Sequence, residues 1–222
     1  MGTGILLIGG TGLVGNLVAD RLLAQGCEVH ALLRRPTGRR APAWHEHVAP
    51  PEAWPGLAGT LSADVAISAL GTTARAAGSD EAFRAVDFDM VVSFARAARE
   101  AGVRRLIAVS SVGADPRSRL FYPRVKGEME AALSALGFDR LDIVRPGLLR
   151  GERGGDRRLG ERAAILLSPI TNLLLRGRLD KYAAIDATIV ADAIAALVGP
   201  LGPGRFVHHN RELHRLTRTS ST

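Results

Sequence analysis

A chain of 222 residues can bury one substantial core and fits a single α/β domain with little to spare. Its net charge of +7 comes almost entirely from arginines scattered singly or in pairs, with Lys126 and Lys181 the only lysines, a distribution that argues against nucleic acid or an acidic membrane as partner. One cysteine, Cys27, excludes an intramolecular disulfide and a thiolate metal cluster, and with no run near the roughly twenty apolar residues that span a bilayer and no charged signal region, the chain reads as a soluble cytoplasmic protein.

The apolar run Ile5-Leu6-Leu7-Ile8 predicts a strand over 3–8, and the stretch up to Gly26 predicts a helix over 13–25. Between and across their ends lie Gly9, Gly10, Thr11, Gly12, Leu13, Val14 and Gly15. Glycines at the first, fourth and seventh positions permit a tight strand-to-helix turn, let the backbone approach a pyrophosphate and let the helix pack closely on the strand. The helix N-terminus adds open N–H groups and the positive end of its dipole, so this segment predicts a dinucleotide site. The next strand, over 28–33, ends in Arg34-Arg35, where a protein built for NAD carries an acid for the ribose hydroxyls. A guanidinium presents a planar fork of donors that suits a phosphate, so Arg34 and Arg35 predict NADP(H), held by its 2′-phosphate.

Residues 36–60, rich in proline and holding Trp44 and Trp54, predict a loop-rich crossover around a short strand at 47–49. A fourth strand over 65–70 ends in Leu70, Gly71, Thr72 and Thr73, at the carboxyl edge where doubly wound sheets bind ligands. Gly71 permits close approach of the backbone to the cofactor, and the threonine hydroxyls suit ribose or phosphate oxygens. In the helix expected over 80–101, Asp87 reads equally as a brace for neighbouring strands and as an exposed acid. The fifth strand, 104–109, runs into Ser110-Ser111, and the following helix, 122–136, opens with Tyr122 four residues before Lys126. That spacing puts phenol and ammonium on one helix face. A free phenol, with a pKa of about 10, moves protons poorly at neutral pH, and a neighbouring cation favours its ionised form. Lys126 also suits the cofactor ribose, and Ser111 supplies a hydroxyl to orient a substrate carbonyl or alcohol.

Strands alternating with helices, including a sixth strand at 140–144, argue for parallel βαβ units in an α/β, Rossmann-type doubly wound sheet. Beyond Arg145-Pro146-Gly147, residues 151–183 are expected to form a small helical substrate lobe, with one helix over 159–167 and another that opens at Ser168-Pro169 and closes at Gly177. A last helix over 189–198 closes the core of a single domain spanning 1–210, and 211–222 reads as a loose polar tail. His45/His47 and His208/His209 lack a helical carboxylate partner, so no metal site is expected.

Four short motifs carry a family resemblance: Leu70-Gly71-Thr72-Thr73, Val86-Asp87, Tyr122 through Lys126-Gly127-Glu128, and Arg145-Pro146-Gly147. Together with the glycine turn they resemble the short-chain dehydrogenase/reductases of the extended-to-atypical kind, and within these the small NADP-binding branch related to the animal Tat-interacting protein. The likeness runs from residue 3 to about residue 199. It implies the sheet order 3-2-1-4-5-6, NADP(H) as ligand with Pro146 among its contacts, and Ser111, Tyr122 and Lys126 as the catalytic set. The separation of Ser111 from Tyr122 is slightly short for the family, which leaves Ser110 as an alternative hydroxyl. The resulting reading is an NADP(H)-dependent oxidoreductase acting on a small carbonyl or alcohol. Its alternatives are a flavin or quinone reductase, which needs the cofactor but not the Tyr-Lys pair, and a regulator that senses NADPH without turnover. A homodimer contact through the apolar lobe also stays open.

Overall fold

The computed structural model describes residues 2–72, 77–151 and 181–219. Its strands are β1 (Gly4–Ile8), β2 (Glu28–Leu33), β3 (Trp44–Val48), β4 (Val65–Ser68), β5 (Arg105–Val109), β6 (Arg140–Val144), the two-residue β7 (Leu149–Arg150) and β8 (Ile185–Asp186), and β9 (Gly204–His208). The helices are α1 (Leu13–Ala24), α2 (Trp54–Ala58), α3 (Asp80–Arg84), α4 (Val91–Glu100), α5 (Phe121–Ala135), α6 (Ala187–Leu197) and α7 (Asn210–Thr219).

Seven strands pair in parallel in the order β3-β2-β1-β4-β5-β6-β9, which is the expected doubly wound order with one strand added. A parallel sheet covered on both faces needs near-continuous apolar strands, and Ile5 to Ile8 are all fully buried. Alternate side chains serve opposite faces. Ile5 and Leu7 join the core beneath α1 and α6, while Leu6 and Ile8 join the core beneath α2, α4 and α5.

Three segments differ from their sequence-based expectations, and the crossover agrees with its own. β3 begins at Trp44, three residues before the expected strand, because the indole is buried in the core beside the first glycine turn. The crossover that follows is as short of helix as its prolines imply, with only a 3₁₀ turn, Pro51–Ala53, ahead of α2. The helix expected over 80–101 is unbroken along the chain but contains a π-helical segment, Ala85–Met90, between α3 and α4. The polar tail expected to be loose from Arg211 is instead helical in α7, anchored by Leu213, which is fully buried, and by Leu216. Two leucines three residues apart suffice to dock an otherwise polar helix. β9 had no forecast at all, since most of its side chains are exposed and its short run shows little apolar alternation. The expected substrate lobe falls, except for Gly151 and residues 181–183, outside the described residues.

Candidate functional site

The turn between β1 and α1 is built by exclusion of side chains. Gly9 has φ 82° and its missing Cβ would sit 2.5 Å from the carbonyl carbon of Ala69, at the end of β4. A Cβ on Gly15 would lie 2.1 Å from the Gly9 carbonyl oxygen, so α1 rests directly on the turn. Gly12 donates its N–H to Gly9 O at 3.0 Å and caps α1 without any side chain, and α1 has no acid in its first turn. The first-turn N–H groups therefore stay open toward an anion. These features fit a pyrophosphate, which needs close backbone approach and donors in place of carboxylates.

Gly9, Gly10, Thr11, Gly12, Leu13 and Val14 line a cleft of about 1240 Å³ that runs along the carboxyl edge of the sheet. Gly15 lies beneath it as a packing position. At the β2 end the wall includes Leu32, Leu33 and Arg34, with Pro51 and Trp54 from the crossover. Of the two expected arginines only Arg34 lines the cleft; Arg35 is exposed outside it. Arg39, which the sequence did not single out, is held nearby by Asp20 and by Asn16 Oδ1 at 2.7 Å, with its guanidinium 5.1 Å from the Trp44 ring centroid.

The opposite end of the cleft is assembled from four separate segments. Leu70, Gly71 and Thr72 follow β4, Ser110 follows β5, Tyr122 and Lys126 project from the first two turns of α5, and Asp87 comes from the π segment. Thr73 lies outside the described residues. Tyr122 is 36 % exposed, with its ring tilted against Phe83 at a centroid distance of 5.2 Å. Lys126, by contrast, is nearly buried, and its Nζ lies 2.6 Å from Asp87 Oδ1. The other carboxylate oxygen of Asp87 accepts the Thr72 N–H at 2.9 Å, which ties the β4 loop to α5 through one side chain. Asp87 is thus a cleft brace, the first of the two readings its sequence position allowed. A π segment is a frequent mark of a functional site, because one extra residue turns a side chain inward where an α-helix would turn it elsewhere.

The two serines differ. Ser110 lines the cleft and donates its hydroxyl to Glu130 Oε1 at 2.5 Å. Glu130 also accepts Arg145 Nε at 2.8 Å on the same oxygen and Arg145 Nη2 on the other, so a buried carboxylate and a bidentate arginine fix the hydroxyl. Ser111, the expected hydroxyl, is not on the described cleft wall, and its Oγ is buried without a hydrogen-bond partner among the described residues. Val109, the last residue of β5, and Ser110 both line the cleft, and Ser110 is held by Glu130 of α5, whereas Ser111 is one residue beyond that wall. Pro146 is likewise buried away from the cleft, where its carbonyl accepts the Val112 N–H. The turn that follows is clamped by Asn210, which accepts the Gly147 N–H at 2.9 Å and donates to Ala183 O at 2.8 Å. His209, next to this clamp, is held below the usual histidine range by burial and then by the Arg145 guanidinium.

Glu130 is a buried acid of the site that the sequence did not single out, and Asp87 is one whose two readings it left open. Glu130 had one legible signal, since it falls on the helix face marked by Lys126, Met129 and Leu133, where an unpaired acid is costly to bury. Among the described residues no three His, Cys, Asp or Glu side chains group to hold a metal, and no helix is long and apolar enough to cross a membrane.

Comparison with known proteins agrees with this geometry. The family model described as NAD(P)H-binding matches residues 9–168. Among curated proteins, "Protein FMP52, mitochondrial" of Coccidioides immitis is 34% identical, with 96% of each chain covered. The protein of the same name from Aspergillus fumigatus is 35% identical, over 90% of this chain and 91% of its own length. Among solved structures, the Thermus thermophilus UDP-glucose 4-epimerase complex with NAD covers 99% of this chain and 84% of its own at 19% identity, with a TM-score of 0.70. The Lactococcus lactis oxidoreductase ylbE covers 97% of both chains at 20% identity and a TM-score of 0.69. These two establish the fold. The curated relatives overturn the cytoplasmic expectation, because they are named as mitochondrial. A lone cysteine records only that no internal disulfide forms, and it cannot tell one compartment from another.

Proposed function

The chain belongs to the NAD(P)H-binding family, and from that premise we propose that it is an NADP(H)-dependent oxidoreductase of the branch resembling the Tat-interacting protein, acting on a small carbonyl or alcohol. The observation that carries this reading is a single cleft whose one end is an anion cradle of glycines and open backbone N–H groups and whose other end holds Tyr122, Lys126 and Ser110. In this reading the turn from Gly9 to Val14 holds the pyrophosphate, Arg34 the 2′-phosphate, Lys126 the ribose, and Leu70, Gly71 and Thr72 flank the nicotinamide end. The bound nicotinamide supplies or receives hydride. Tyr122 exchanges a proton with the substrate oxygen, and its exposure on the cleft wall is what an acid/base facing a substrate requires.

The serine role passes to Ser110 in this reading. Its proton is committed to Glu130, so the oxygen faces the cleft as a hydrogen-bond acceptor, which suits the hydroxyl of an alcohol or of Tyr122 better than a bare carbonyl.

The test has two arms. Calorimetric titration of the native protein with NADPH should give saturable binding. With NADPH and a panel of small aldehydes and ketones, Tyr122→Phe should lower turnover by about 10²–10⁴-fold while NADPH affinity stays within about twofold, because only the hydroxyl is removed. Native-rate turnover by Tyr122→Phe would transfer the assignment to flavin or quinone reduction. NADPH binding with no turnover of any panel member in either protein would transfer it to an NADPH sensor.

A further inference from the structure

Asp87 does more than its hydrogen bonds require. An asparagine could also accept the Thr72 N–H, though more weakly, so the contact by itself does not require the negative charge. Nor is a buried ion pair a strong device for stability, since desolvation of both charges offsets most of their attraction. Asp87 is nonetheless fully buried as a residue, paired to the nearly buried Lys126, and both still form part of the cleft wall. The charge therefore sits in a low-dielectric wall that a ligand closes, where its field is felt most strongly.

The strand order says which part of a dinucleotide meets that wall. The anion cradle follows β1 and Arg34 follows β2, on one side of the point where the order reverses. Asp87, Lys126 and Thr72 gather on the other side, over β4 and β5. A cofactor with its adenosine end at β2 extends its redox ring toward β4 and β5. That ring carries a positive charge when oxidised and none after it has accepted hydride, so it is the one group of the cofactor whose charge changes in the reaction.

We propose that the Asp87 carboxylate is a specificity-determining group that reads the charge of the nicotinamide, biasing the cleft toward the oxidised cofactor against the opposing field of Lys126. The proposal rests on the cofactor reading above. With the Lys126 charge retained, its sign does not depend on which of the two charges lies nearer the ring, because removing the carboxylate then subtracts only a field that favours the cation.

The test is the ratio of two dissociation constants, measured without any substrate. NADP⁺ and NADPH are titrated calorimetrically into the native protein, Asp87→Asn and Lys126→Met at one ionic strength, with thermal melting to confirm that each variant folds. In Asp87→Asn the ratio of Kd for NADP⁺ to Kd for NADPH should rise about tenfold, as expected for one unit charge acting across several ångströms of protein. For a two-electron couple this is a shift of about 30 mV in the bound potential. Lys126→Met should move the ratio the other way. A purely structural role for Asp87 would weaken both cofactors by the same factor, and an unchanged ratio would overturn the inference while leaving the cofactor reading intact. If Asp87→Asn does not fold, Lys126→Met decides alone by the same criterion. Failure of the native protein to bind either cofactor would overturn both.

Discussion

The two ends of the cleft, proposed above as a phosphate end and a reaction end, are made in opposite ways. The phosphate end is seven consecutive residues whose working parts are backbone N–H groups and absent side chains; its tolerances are steric, with Gly9 and Gly15 facing carbonyl groups at distances no Cβ can occupy. The reaction end is made of side chains from the β4 loop, the π segment, the end of β5 and α5, joined by buried charged contacts such as Lys126–Asp87 and Ser110–Glu130–Arg145. A backbone-built site takes its field from N–H groups that no substitution removes, and it is intolerant of added volume. A side-chain site keeps its shape when one functional atom is lost but forfeits its chemistry.

The steepest way to break this contrast is to add volume at the phosphate end. Gly15→Ala places a methyl 2.1 Å from a backbone oxygen that has no flexible way to yield, so α1 must shift off the turn. Overpacking of this kind costs about 1–3 kcal/mol, and because the shift opens the anion cradle we expect NADPH affinity to fall by about a hundredfold. Gly26→Ala is the control. Gly26 ends α1 with φ 76° but has nothing within 4 Å, so its substitution should cost only the backbone strain, about 1 kcal/mol, and leave cofactor binding alone. Equal NADPH affinity in the Gly15 variant and the native protein, by calorimetry, would mean the turn is not a steric cradle.

A smaller effect is expected from charge at the same end. Arg34→Ala removes the one cleft-lining guanidinium at β2, and a charge-assisted contact to phosphate contributes on the order of 1.5–3 kcal/mol, discounted here because the side chain is exposed. We expect NADPH to lose roughly tenfold in affinity relative to NADH, with Arg35→Ala changing the ratio little. If Arg35→Ala has the larger effect, the loop after β2 must rearrange on binding.

The mildest prediction sets the ends against pH. Burial and the neighbouring histidines hold His30 and His47 below the ordinary value of 6.5, with Glu28 opposing at His30, and the two rings share a contact of 3.1 Å between β2 and β3. The unfolded chain binds protons on these rings first as pH falls below 6.5, so stability declines in that window. His209 at the reaction end shifts in the same direction, but the β3 edge has two such rings and is the outer strand. Amide exchange in β3 should therefore quicken on acidification before exchange in β5 does; the reverse order would show that the reaction end is the weaker region.

Legibility followed the same division. The glycine turn, the alternation of strands with helices and the Tyr122–Lys126 spacing could all be read from neighbours in sequence, because each is a local pattern imposed by backbone geometry or helix period, whereas the strand order was implied only by the family resemblance. The helix over 121–135 and the strands flanking the first helix lie within a residue or two of their forecasts. Which serine faces the cleft could not be read, since Ser110 and Ser111 are adjacent and only Ser110 is held by Glu130 of α5. Glycine at 127 had no local reason either; a Cβ there would stand 2.2 Å from Pro116 N, a contact made only when the 113–118 loop folds over α5.

By itself, then, the sequence determined a parallel doubly wound sheet with a dinucleotide turn at its first crossover, because alternation of apolar runs and the steric demands of glycine act over a few residues. Tertiary structure alone decided that Asp87 turns inward through a π segment onto Lys126, that Glu130 and Arg145 hold Ser110, and that a polar C-terminal segment becomes a docked helix beyond a seventh strand. Those outcomes depend on charges and leucines meeting partners tens of residues away, and the free energy of a buried pair exists only once both partners have left water together.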